Sequence, residues 1–454
     1  MAEHHDDLLE KDREYVWHSM KPYHPERTIV VKKAEGVWIT DSKNRKYLDA
    51  MSGLWCVNIG YGRKELAEVA KKQMEELAYF PLTQSHSPAI ELAEKLNNML
   101  DGQYVIFFSN SGSEANETAI KIARQYYHQI GQSTRYKILS RYRSYHGNTL
   151  ATLAATGQAE RKYKFEPLAT GFIHVMPPDL YRHPLQETVN PRERRETKAI
   201  EEAITWEMKE TVAAVIMEPI ISGGGILLPP EDYLKAVEEI CRENGVLLIL
   251  DEVICGFGRT GKPFGFMNYG IQPDIITMAK GITSGYLPLA ATAVKKEIYD
   301  QFKGGELYDY FRHITTFGGH PASCAVALEN LNILEQEKLY QRSHKSGKQI
   351  LQILKQRLLH TPYVGHIRGK GLLIGIELVK DKKLKTPLDV SYVNEVISYC
   401  FEKGLIIGKN GATVAGFNNV LTLAPPLTIS EQEIQFLLEI LVQSINRLED
   451  LIKS

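Results

Sequence analysis

The sequence predicts an α/β protein, with a large domain built on a mostly parallel sheet between helices and a small α+β domain assembled from both termini. Three observations predict this. Short apolar runs at Val105–Phe108, Val212–Met217 and Val246–Leu250 have the length and continuity of strands buried on both faces. Stretches of helical period, Glu114–Tyr127 and Asp232–Asn244, alternate with them. Both ends of the chain instead carry short strand-like segments. The expected division is 1–60 for the N-terminal part of the small domain, 61–330 for the large domain and 331–454 for the C-terminal part.

Composition narrows the function. With 454 residues, 43% of them hydrophobic and 24% charged, the chain has material for a large core. A net charge of −1 gives no general pull towards nucleic acid or an anionic membrane. No apolar run approaches a membrane span, and the charged opening MAEHHDDLLEKDREY lacks the apolar centre of a signal peptide. Five cysteines, at 56, 241, 255, 324 and 400, show no CxxC spacing, which favours a reducing cytoplasm with thiols as core filler and no metal site.

Taken in order, residues 1 to about 30 mix charges with Tyr15, Trp17, Met20 and Tyr23 and are expected to pack on a neighbour. Thr28–Val31, Gly36–Thr40 and Lys46–Asp49 read as short strands, with Asp41–Asn44 as a hairpin turn. Met51–Gly62 is a loop of glycines and aromatics, and a tryptophan such as Trp55 there serves either the core or a pocket. Helices follow at Arg63–Ala78 and Ala89–Leu100, and Tyr79–Leu82 between them offers a pocket wall.

The run Val105–Phe108 leads through Ser-Asn-Ser-Gly-Ser into a helix. A strand, a small-residue turn and a helix N-terminus make either an ordinary cap or an anion site, because unpaired N–H groups and the helix dipole both face the turn. Lys137–Ser140 is the next strand and delivers Ser144-Tyr145-His146-Gly147-Asn148, where His146 suits a satisfied core histidine. Residues 157–200 are Pro-rich and charged and read as a surface excursion. Val212–Met217 ends in Glu218, and Ser222–Gly225 is a loop without dinucleotide-binding spacing.

The stretch Gly245–Gly285 carries the strongest signal. One buried run ends in Asp251 and Glu252, and a second, Asp274–Ala279, ends in Lys280. Asp251 as a helix cap and Lys280 as a solvated loop residue is the plain reading. Against it, two strand ends in glycine-rich turns present a carboxylate and an amine at the edge where open α/β sheets bind ligands. An amine buried there has its pKa pushed down, as a Schiff-base lysine requires.

DEVICGFGRTG followed by AKG resembles the class III aminotransferases of fold type I, and among them the pyruvate-dependent ω-transaminases and taurine–pyruvate aminotransferases. The resemblance runs from about Trp17 to Pro426. It implies a seven-stranded sheet, pyridoxal 5′-phosphate as cofactor, and a homodimer with shared active sites that could pair into a tetramer. It implies that Ser111, Gly112 and Ser113 hold the phosphate, that Tyr145 and Val253 flank the ring, and that His146 and Glu218 lie beside the cofactor. Asp251 would face the pyridine nitrogen and Lys280 would form the Schiff base and then move the proton. Thr316 would reach the neighbouring subunit's phosphate, and Trp55 would line the substrate pocket with Tyr79, Leu82 and Tyr145.

The chain departs from the pattern in one place. Between Gly404 and Pro426, where such transaminases carry a carboxylate-binding arginine, there is none, and Lys409 or backbone amides are the candidates to replace it. The expected activity is transfer of an amino group from an ω-amine, β-amino acid or taurine-like donor to pyruvate. The aminotransferase that makes diaminopelargonic acid for biotin shares the Ser-Tyr-His-Gly turn, but typically has an aspartate where this chain has Asn148. An aminomutase of the same fold is the alternative from another class.

Overall fold

The computed structural model describes residues 2–20, 28–184, 190–411, 413–414 and 416–453. Tyr23, Val189, Ala412 and Ala415, which the readings above include, lie outside them.

After an N-terminal helix, Ala2–Tyr15, three antiparallel strands follow: β1 (Val31–Glu35), β2 (Trp38–Asp41) and β3 (Lys46–Asp49). The first strand begins at Val31, where the expected one ended. Asp41 closes the hairpin, its Oδ1 accepting from Lys43 and Arg45 N–H at 2.9 and 2.8 Å.

The central sheet has seven strands: β4 (Tyr104–Ser109), β5 (Lys137–Arg141), β6 (Phe172–Val175), β7 (Val212–Met217), β8 (Leu247–Asp251), β9 (Ile275–Met278) and β10 (Ala290–Lys295). Their order is β4-β10-β9-β8-β7-β5-β6, and β10 alone runs antiparallel to both its neighbours. Every residue of β7 is buried, as a doubly covered parallel strand requires. Helix Gly112–Gln129 packs on β7, β9 and β10. Helix Tyr233–Asn244 ends at Gly245, whose φ of +61° is the left-handed cap that turns the chain into β8.

Two strands of this sheet escaped the sequence reading. β6 lies inside the supposed surface excursion, paired in parallel with β5, and it is only four residues long with partly exposed side chains. β10 reads Ala-Ala-Thr-Ala-Val-Lys, a small-residue run without the bulk that marks a strand.

The remainder adds β11 (Val364–Lys370), β12 (Leu373–Asp381), β13 (Thr386–Pro387), β14 (Leu405–Ile406), β15 (Gly408–Lys409) and β16 (Val420–Leu423). β14 pairs in parallel with β3, so the C-terminal segment completes the N-terminal sheet. The others form a sheet in the order β11-β12-β16-β15 with β13 on β12. All five cysteines are free, and four are buried.

His174 on β6 yields a pH prediction. Burial, with Lys162 beside it, lowers its pKa from 6.5 to about 4. The unfolded chain therefore takes up this proton as pH falls below 6.5, whereas the folded chain declines it until about pH 4. Stability from this residue is complete above 6.5 and is lost progressively down to about pH 4. A His174→Gln variant should show a flatter decline of melting temperature across that window; an unchanged slope would refute the assignment.

Candidate active site

At the C-terminal edge of the parallel strands lies a cavity of about 440 Å³, lined in part by Gly112, Tyr145, Asp251, Val253 and Lys280. Ser111, Ser113, His146 and Glu218 also line it, so nine of the residues singled out in the sequence converge on one site.

Asp251 is the last residue of β8 and is buried. Its Oδ2 accepts from Asn116 Nδ2 at 2.8 Å and pairs with His146 Nδ1 at 2.9 Å, while Oδ1 accepts from Val253 N–H at 3.1 Å. A carboxylate only accepts, so the His146 proton is on Nδ1. Asn116 is fixed in turn: Thr277 Oγ1 donates to its Oδ1 at 2.7 Å, which leaves Nδ2 to face Asp251 and the His146 carbonyl. Neither Asn116 nor Thr277 was found from sequence. Asn116 follows Gly112 by four positions, and that helical spacing was the available signal.

Lys280 stands just beyond β9 with φ at +48°, a left-handed conformation that is costly for a side chain with a Cβ. Among the described residues its Nζ has no hydrogen-bond partner. Burial pushes its pKa down, against the pull of Asp251, Cys56 and Glu218, and the Arg161 guanidinium pushes it further down. Glu218 follows β7, and burial raises its pKa. Both its oxygens are engaged, by Tyr145 N–H at 3.0 Å and Ser222 N–H at 2.8 Å, so it holds the Tyr145 backbone in place.

Opposite lies the turn into helix Gly112–Gln129. Ser111 caps it by accepting from Glu114 N–H at 3.2 Å, and the Gly112 and Ser113 N–H groups have no acceptor among the described residues. A Cβ on Gly112 would stand 3.0 Å from both Val253 methyls, so glycine leaves room between this turn and the floor of the site. Ser113 Oγ donates to Asn148 Oδ1 at 2.9 Å.

Five assigned residues are not brought to this cavity. Trp55 packs with Ile220, Ile226, Cys255 and Leu373, as the core reading allowed, and its indole N–H is buried without a partner among the described residues. Tyr79, Leu82 and Thr316 form a separate exposed group, in which the Tyr79 hydroxyl donates to the Thr316 carbonyl at 2.8 Å. Lys409, half-buried on β15, precedes a loop whose Phe417 ring has the guanidinium carbons of Arg143 and Arg182 at 5.6 and 4.8 Å. The described residues contain no cluster of three or more side chains able to hold a metal, and no helix long and apolar enough to cross a membrane.

Residues 19–445 match the family model for aminotransferase class-III. The chain belongs to the class III aminotransferases. They depend on pyridoxal 5′-phosphate and share the fold type I architecture seen here. This aminotransferase is 62% identical over 437 residues, 96% of either chain, to YhxA of Bacillus subtilis strain 168, an uncharacterized aminotransferase. It is 41% identical to the taurine–pyruvate aminotransferase of Bilophila wadsworthia strain 3_1_6, with 94% of each chain covered. Among solved structures, a Bacillus anthracis aminotransferase superposes with a TM-score of 0.97 at 62% identity, covering 98% of this chain and 99% of that one.

The site of this aminotransferase fits the cofactor on its own terms. One wall offers unpaired N–H groups at a helix start, suited to a phosphate. The other offers a buried carboxylate and an amine, and among the described residues neither that amine nor the buried His146 Nε2 has a hydrogen-bond partner.

Proposed function

We propose that this enzyme moves the amino group of an ω-amine, β-amino acid or taurine-like donor to pyruvate, in two half-reactions at one site. The observation that carries this reading is the pair Asp251 and Lys280, set on two adjacent strand ends and facing one cavity. When bound, pyridoxal phosphate supplies the aldehyde that takes up the amino group and the ring that spreads the resulting negative charge. The Gly112 and Ser113 N–H groups would hold its phosphate, and Tyr145 and Val253 would lie on either side of its ring. Asp251, held in place by the Asn116 amide and the His146 Nδ1–H, would face the ring nitrogen. Burial lowers the pKa of Lys280 Nζ, which favours the free amine over the ammonium, and this amine would take a proton from the amine-bearing carbon and deliver it to the cofactor's C4′ carbon.

Tyr79, Leu82 and Thr316 gain a role if a second copy covers them, so we read the enzyme as a homodimer whose sites are completed across the interface. Five free thiols suit a cytoplasmic setting. The taurine–pyruvate relative supports the choice of donor and acceptor.

The test is the half-reaction without an acceptor. Holoenzyme mixed with taurine, β-alanine, putrescine or an aromatic amine should lose its yellow colour, and pyruvate should restore it. Bleaching by S-adenosylmethionine alone would overturn the donor assignment in favour of biotin synthesis.

A further inference from the structure

A keto-acid acceptor carries a carboxylate, and a taurine-like donor carries a sulfonate. The site therefore needs a cation other than Lys280, whose amine is occupied by the chemistry. Arg143 is paired with Asp179 at 2.7 Å. Arg259 is buried, and its two terminal nitrogens are engaged by Ser52, Asn58 and the carbonyls of Leu372 and Pro425. Arg141 is fully buried and donates to the Glu218 carbonyl, behind the strand end. Lys162 donates to the Ala154 carbonyl at 3.1 Å and touches His174. Lys409, a candidate from sequence, already has the Glu160 carboxylate beside it.

Arg161 differs from all of these. Its guanidinium carbon lies 4.6 Å from the centroid of the Tyr145 ring, which lines the cavity. Its Nε donates to Gln158 Oε1 at 2.7 Å, and Gln158 is itself held by the Arg143 carbonyl at 3.0 Å, so the plane of the guanidinium is set. Of its outer nitrogens, one meets only the Met20 thioether, at 3.3 Å, and thioethers are weak acceptors. Among the described residues no carboxylate pairs with it. Its positive charge is felt at Lys280, where it disfavours the ammonium form.

We infer that Arg161 is the residue that recognises the anionic end of the substrates, taking a carboxylate or a sulfonate on the outer edge of its guanidinium while Tyr145 and Gln158 hold that edge in place. The inference rests on the reading of this cavity as the amino-transfer site. It makes Arg161 a specificity residue: substrates with an acid group need it and simple amines do not.

The experiment is calorimetric titration of the holoenzyme with propionate and with propane-1-sulfonate, neither of which can donate an amino group. Arg161→Gln should weaken both by about tenfold or more, the scale of a charge-assisted hydrogen bond. Weakening of one anion alone would identify that anion as the one recognised. Lys409→Gln should leave both within about twofold, and 1-phenylethylamine, which carries no acid group, should still bleach Arg161→Gln. Parent-like affinity in Arg161→Gln overturns the inference, as does a loss confined to Lys409→Gln or a parent that binds neither anion. Should Arg161→Gln fail to fold, Arg161→Lys decides, since it keeps the charge without the fork: weakened anion binding supports the inference and parent-like binding overturns it. If the parent is bleached by no amine, the proposed function fails, while the titration still decides Arg161.

Discussion

Replacing Lys280 with alanine is expected to lower turnover by about five orders of magnitude or more, comparable to losing the nucleophile in other covalent catalysts. The yellow colour of the lysine-linked cofactor should vanish. Cofactor should still be retained by the phosphate turn and the Asp251 wall, and should dialyse out more easily. Lys280→Arg should not restore activity, because a guanidinium stays charged and cannot serve as a free amine. The left-handed backbone at Lys280 makes a further point: alanine there inherits the strain, so any change in melting temperature reports the loss of the side chain alone. Substantial turnover in Lys280→Ala would end the assignment.

Asp251→Asn is the second large effect. The substitution keeps shape but removes the charge, and it places an amide among groups arranged to donate, namely Asn116 Nδ2, His146 Nδ1–H and Val253 N–H. One of its ends must then oppose a donor. We expect turnover to fall by about 10² to 10³, the usual scale for removing a preorganised electrostatic partner. Asp251→Glu should recover part of it. A purely structural role predicts instead a lower melting temperature with nearly normal turnover, and that pattern would refute the catalytic assignment.

Much of this site was legible because its parts sit at strand ends. A buried apolar run that stops at a charged residue is a local signal, and Asp251, Glu218 and Lys280 each carry it. Ser111–Ser113 carried the equally local signal of a strand meeting a helix. What escaped depends on contacts distant in sequence. Asn116 and Thr277 are ordinary residues until the sheet brings β9 against helix Gly112–Gln129. Arg161 lay in a stretch that read as surface, because composition marks charge and proline there but not the Tyr145 ring underneath. The residues alone left core and pocket open for Trp55 and the resemblance implied the pocket; its partly buried ring packs against the cluster that holds Ile220 and Leu373.

The direction of β10 has a geometric consequence. A strand set between β4 and β9 separates the phosphate turn from the lysine by two inter-strand steps, about 10 Å. Had it run parallel, it would have added one more strand end to the same edge. Running the other way, it enters from the cavity side, and the chain leading into it, Leu287 to Leu289, becomes part of the cavity lining. The inserted strand thus acts as a ruler, holding the anion-binding end and the amine end of the site at a fixed distance whatever the loops around them do.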